Sequence, residues 1–95
     1  MSGHFIVIEG PDGTGKTTQA KRLSLMLQAS GFDVIHVREP GGCPSAERIR
    51  ALLVEGEPGD LLNWTEALLM NAARHELVER VIKPALAAGK WVVCD

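Results

Sequence analysis

Cysteine is nearly absent: Cys43 and Cys94 are the two in a chain of 95 residues. They form no C-x-x-C pair and no framework spacing, which excludes a disulfide-stapled scaffold and points to free thiols in a reducing compartment, the cytoplasm. Long apolar runs are missing as well. After Met1-Ser2-Gly3-His4 come four apolar residues, Phe5 to Ile8, too few for a signal-peptide core or a membrane span. Nor does one sign of charge dominate. With a formal net charge of −2, the chain has no general field for nucleic acid or an anionic membrane, so any phosphate must be held by local chemistry. His4, His36 and His75 lack metal-ligand spacing and read as structural or solvated residues. Internal repeats and low-complexity linkers are absent too.

What is present suits one globular domain. The chain is 45% hydrophobic and 23% charged, enough to bury a core, and its length leaves room for no second domain. Phe5 to Ile8 predicts a strand buried on both faces of a parallel sheet. Ala20, Leu23, Met26 or Leu27, and Ser30 recur at helical spacing, predicting a helix from Lys16 to Ser30 with Gly31 as a left-handed stop. Asp33 to Val37 predicts a second strand, joined to the first in a right-handed βαβ unit with parallel pairing. Pro40-Gly41-Gly42 breaks the chain. Pro44 then opens a short helix with Ile49, Leu52 and Leu53 on its apolar side, ending near Gly56, and Gly56 to Asp60 reads as a polar loop.

Asn63 is placed to cap a longer helix, with Glu66 three residues on and Leu68, Leu69, Ala72, Ala73, Leu77, Val81 and Ile82 facing inward. Pro84 should kink or divide it. Gly89 ends that segment and Trp91 to Cys94 form the last strand, so the order is βαβααβ, half of a doubly wound α/β fold with helices flanking a parallel sheet. Trp64 and Trp91 read as packing residues. The Leu/Met stripe from Leu68 to Leu77 is core first, with a dimer contact as the second reading.

Gly10-Pro11-Asp12-Gly13-Thr14-Gly15-Lys16-Thr17 matches G-x-x-x-x-G-K-[ST] at every fixed position, between a predicted strand and a predicted helix. In such a loop the glycines let backbone N–H groups turn toward a phosphate, and the helix N-terminus adds about half a positive charge. Lys16 would reach the β- and γ-phosphates of ATP and Thr17 would ligate Mg²⁺; Thr18 continues the ATP-binding segment. The bland alternative is a glycine-rich turn with a surface lysine. The dinucleotide fingerprint is excluded, because Gly10, Gly13 and Gly15 are spaced G-x-x-G-x-G and Lys16 has no role there. Asp95 closes the run Trp91 to Cys94, where a P-loop enzyme has its second acidic group, binding Mg²⁺ directly or through water. A capping or solvated aspartate is the alternative.

Three segments resemble the thymidylate kinase family: Ile8 to Gln19 around the P-loop, Arg38-Glu39-Pro40-Gly41-Gly42, and Asn71-Ala72-Ala73-Arg74 followed by Val81-Ile82-Lys83-Pro84-Ala85-Leu86. The glycine at Gly13 is similar to members that lack an arginine inside the P-loop. The resemblance implies a P-loop NTPase-type fold and transfer of the ATP γ-phosphoryl group to dTMP, with Mg²⁺, in a homodimeric parent. It implies that Asp12 meets the sugar 3′-hydroxyl, that Arg50 and Arg38 handle the acceptor phosphate, and that Arg74 hydrogen-bonds the thymine. Arginine's planar fork of donors suits both tasks. Solvated helix arginines paired with Glu47 or Glu79 are the plain alternative. Glu39 would orient Arg38 or a Mg²⁺-bound water, Pro40 is commonly cis in this motif, and Met70 stands where an aromatic often stacks on the base. Another P-loop nucleotide kinase, or a non-catalytic nucleotide-binding fragment, is the rival reading. The lid, the adenine-binding loop and a further arginine are expected beyond Asp95, so the chain reads as an N-terminal part, residues 1–95, of one P-loop kinase domain, inert when taken alone.

Overall fold

The computed structural model describes residues 3–10 and 15–95. In chain order the elements are β1 (Phe5–Val7), α1 (Lys16–Ala29), β2 (Val34–Val37), α2 (Pro44–Val54), α3 (Asn63–Leu77), a π-helical turn (Val78–Ile82), α4 (Lys83–Ala87) and β3 (Trp91–Cys94). They fall into two compact units, Met1–Arg38 with Ile82–Asp95, and Glu39–Val81. No helix among the described residues is long and apolar enough to cross a membrane.

In the first unit the three strands are parallel, in the order β1-β3-β2. The expected orientation holds, but β1 and β2 do not pair with each other. β3 lies between them because Val92 and Val93 bury completely, and the fully apolar strand takes the position with a ladder on each side. Among the described residues the first apolar run pairs on one side, with β3; Phe5 and Val7 are 43% and 49% exposed, while Ile8 turns inward. Strand alternation puts Val34, Val93 and Trp91 on the face that packs against Ala20, Leu23 and Leu27 of α1. Of Met26 and Leu27, it is Leu27 that packs inward, seven residues after Ala20; Met26 and Ser30 are exposed. Buried Ser24 satisfies its hydroxyl by donating to the Ala20 carbonyl at 2.8 Å.

Glycine ends α1 as the sequence predicts. Gly31 sits at φ 94, its N–H bonds the Gln28 carbonyl at 3.0 Å, and the Phe32 N–H bonds that of Leu27 at 3.1 Å, which is the Schellman arrangement. Gly89 closes α4 the same way, through Leu86 and Ala85. Trp91 stacks on His4 and Phe32, with centroids 4.3 and 4.8 Å away, and so packs as expected.

The second unit is built on α2 packed against α3. Buried Ala46 and Ala73 let the helices approach closely, and Cys43, Ile49 and Val81 complete that core. Ser45 on α2 hydrogen-bonds Glu76 on α3. That bond, then the Arg80 guanidinium at 2.9 Å, holds the Glu76 carboxyl below its ordinary range. Of the expected inward face, Leu69, Ala73 and Leu77, spaced by four, turn inward, whereas Leu68 and Ala72, each one residue before an inward position, are exposed; Trp64, one turn before Leu68, is 78% exposed. Met70 also lies off the inward stripe, and Leu52 is exposed while Ile49 packs. Asn63 makes no capping bond, because it is already the first helical residue and Leu62 precedes the helix.

Pro84 divides the long helix. Its ring and missing N–H are tolerated only in a first turn, so α3 loosens into the π-helical turn and α4 restarts with Pro84 near its N-terminus. Both cysteines are buried free thiols. Two substitutions test this architecture by urea unfolding. Leu77→Ala should lower stability by about 2–5 kcal/mol through the cavity it leaves. Gly31→Ala should lower it by roughly 1–2 kcal/mol, because the left-handed backbone penalises a Cβ even in open space.

Candidate active site

Parallel strands bring their C-terminal ends to one edge of the sheet, where the first unit gathers its polar groups. The Ile8 N–H bonds the Cys94 carbonyl at 2.8 Å and the Asp95 N–H bonds that of Val37 at 3.1 Å, so the ladder continues one residue past β1 and β3. Gly10 follows β1, and Gly15 precedes α1 with φ 80. The Gln19 N–H bonds the Gly15 carbonyl at 3.0 Å, which leaves Lys16, Thr17 and Thr18 in the first helical turn, whose N–H groups lack intrahelical partners. Lys16 is half-buried; Thr17 and Thr18 are exposed. Pro11, Asp12, Gly13 and Thr14 lie outside the described residues, and so do the readings that fall on them, including Asp12 at the sugar.

Asp95 is the most enclosed charged group here, its side chain 2% exposed. It accepts a hydrogen bond from the Thr17 hydroxyl and another from His36 Nε2, 3.1 Å from Oδ1. Burial pushes its carboxyl upward, but those two bonds and the imidazole's charge outweigh burial and hold it below the ordinary value of 3.8. His36 is the residue that sequence reasoning missed. Its signal was strand register: His36 pairs with Val93, and Asp95, two residues on, shares its face.

The second unit gathers a different set. The Glu39-Pro40 peptide is cis, as the resemblance implies. Gly41 follows at φ 139, a backbone conformation that favours glycine, and Glu47 Oε1 lies where a Cβ would stand. Glu47 reaches back from the first turn of α2 and accepts from the Gly42 N–H at 3.0 Å. Arg50 Nη1 donates to the Pro40 carbonyl at 2.9 Å, and Arg74 Nε donates to Glu39 Oε1 at 2.8 Å. Each arginine thereby ties its helix to the same dipeptide. Arg74 and Glu39 form an ion pair with side chains 60% and 28% exposed, and Met70 sits half-exposed one turn earlier on α3. Arg38, at the end of β2 in the first unit, is exposed.

Residues 8–95 match the family model of thymidylate kinase. Over its whole length the chain is 55% identical to the thymidylate kinase of Magnetococcus marinus, of which it covers 45%. It is also 55% identical to the thymidylate kinase of Caulobacter vibrioides over 93 residues, 98% of this chain and 45% of that protein. The crystal structure of thymidylate kinase from Ehrlichia chaffeensis matches all of the chain with a TM-score of 0.91 and 38% identity, and 53% of that protein is covered. The fold is accordingly the α/β P-loop NTPase fold, and the chain spans about half the length of these relatives. By residues matched, by identity and by fold, the chain belongs to the thymidylate kinase family.

Proposed function

We propose that the protein carrying this chain transfers the γ-phosphoryl group of ATP to the 5′-phosphate of dTMP, giving dTDP and ADP, as a cytoplasmic homodimer in which residues 1–95 are part of one kinase domain. The observation that carries this reading is the bond between the Thr17 hydroxyl and the enclosed, ionised Asp95 carboxylate beside the first turn of α1. A hydroxyl whose proton is committed to a carboxylate keeps its lone pairs for a cation, and two hard oxygen donors suit Mg²⁺ with phosphate and water as its other ligands. When bound there by Thr17 and Asp95, Mg²⁺ would neutralise charge on the β- and γ-phosphates. Lys16 would add its ammonium to those phosphates, and the first turn of α1, Lys16 to Thr18, would offer its N–H groups as donors. The acceptor phosphate is already anionic. Its oxygen bonds the γ-phosphorus as the bond to the bridging oxygen of ADP breaks, so no general base is needed and catalysis is positioning and charge neutralisation.

On the acceptor side, Arg38 and Arg50 would meet the dTMP phosphate, Arg74 the thymine and Asp12 the sugar, while Met70 would pack on the base. The bonds from Arg50 to Pro40 and from Arg74 to Glu39 support this, since a guanidinium fixed at one nitrogen can present its remaining donors in a defined plane. Homodimer formation is supported by the exposed stripe of Trp64 and Leu68 on α3, and sedimentation of the whole protein checks it.

ADP release, measured with ATP, Mg²⁺ and dTMP, dUMP, dCMP, dGMP or AMP, should be fastest with dTMP. Lys16→Ala should lower kcat/KM at least about 10²-fold. A preference for another monophosphate would sink the thymidylate assignment and leave a P-loop kinase. Glu39→Gln keeps the shape of the side chain and loses its charge. It should raise KM for dTMP about tenfold and change kcat less, as expected for an arginine that binds substrate and transition state alike.

A further inference from the structure

His36 has no part in the chemistry described so far, yet it is bonded to the residue on which the cation site depends. The Asp95 backbone is fixed by its N–H bond to Val37. That leaves the carboxylate free to turn about its last side-chain torsion, which is broad and roughly two-fold for an sp³–sp² bond. One bond from Thr17 does not define the carboxylate plane; a second, from another element, does. His36 supplies it across the ladder from β2, with Nε2 3.1 Å from Oδ1. An ionised carboxylate only accepts, so Nε2 carries the hydrogen. Packing is not what the ring is needed for: Ala20, Val34 and Val93 fill the core on that face, and the His36 side chain is 24% exposed. With Asp95 at 2%, water has little access to replace the bond if it is lost.

We propose that His36 is a positioning residue, whose Nε2–H locks the Asp95 carboxylate in the orientation that serves Thr17 and a divalent cation. The inference rests on the reading of Thr17 and Asp95 as cation ligands, and it concerns the chain's own hydrogen bond, not its protonation. Partners that orient a metal-binding group typically change metal affinity or activity 10- to 100-fold when removed.

Mn²⁺ binding in the presence of ADP, followed by the EPR signal of free Mn²⁺ on the whole protein, tests the proposal. His36→Phe, which keeps a ring and loses the donor, should weaken Mn²⁺ about tenfold, whereas His36→Gln, whose amide nitrogen replaces Nε2, should stay within about threefold of the native affinity. ADP affinity without metal should be unchanged in both, which a general structural defect would not allow. Circular dichroism checks the fold, and His36→Leu replaces the Phe variant if that one fails to fold. Native Mn²⁺ affinity in the variant without a donor overturns the proposal, as does a Gln variant as weak as the Phe variant. Asp95→Asn separates the two levels: if it leaves Mn²⁺ binding intact, the cation site is elsewhere, and the underlying reading fails together with the proposal.

Discussion

β3 is hydrogen-bonded on both sides, and the first unit depends on that double ladder. Its centre, Val92 and Val93, is fully buried, one residue on each face, so the strand fills the core on both sides of the sheet. Register then decides everything downstream of it. Asp95 emerges on the face that packs against α1, within reach of a hydroxyl in the first turn of that helix and of an imidazole on the neighbouring strand. A buried carboxylate would otherwise be driven toward its neutral form; two donors reverse the sign and keep it charged.

The second unit solves a different problem with similar means. A loop that contains two consecutive glycines, Gly41 and Gly42, has little intrinsic preference for one shape. Three side chains from the two helices impose it: Glu47 on the Gly42 N–H, Arg50 on the Pro40 carbonyl and Arg74 on Glu39. Close packing of Ala46 against Ala73 holds the helices that carry those side chains. The same arginines that fix the loop are those proposed to meet the acceptor, so loop shape and donor direction are set together.

Much of this was legible in the residues. The P-loop pattern, the glycine stops at Gly31 and Gly89, the break at Pro84 and the parallel sense of the strands all follow from local rules: fixed spacing, positive φ, a missing N–H. What could not be read required knowledge of neighbours. Nothing local says that β3 inserts between β1 and β2. On α3 a run dense in apolar residues offers two adjacent stripes, and only the partner helix selects Leu69, Ala73 and Leu77 over Trp64, Leu68 and Ala72. His36 looked incidental because its partner lies 59 residues away in the chain. The ion pair of Arg74 with Glu39 is non-local for the same reason, and sequence had assigned Glu39 to Arg38 or to a metal-bound water.

The stacking of Trp91 with His4 and Phe32 has an optical consequence. The chain has two tryptophans and no tyrosine, and the fold gives one to each unit: Trp91, half-buried among aromatic rings in the first, and Trp64, open to water on α3 in the second. Their emission should therefore differ in wavelength and in access to aqueous quenchers. Each unit carries its own built-in chromophore, so the order in which the two halves melt can be followed by colour alone.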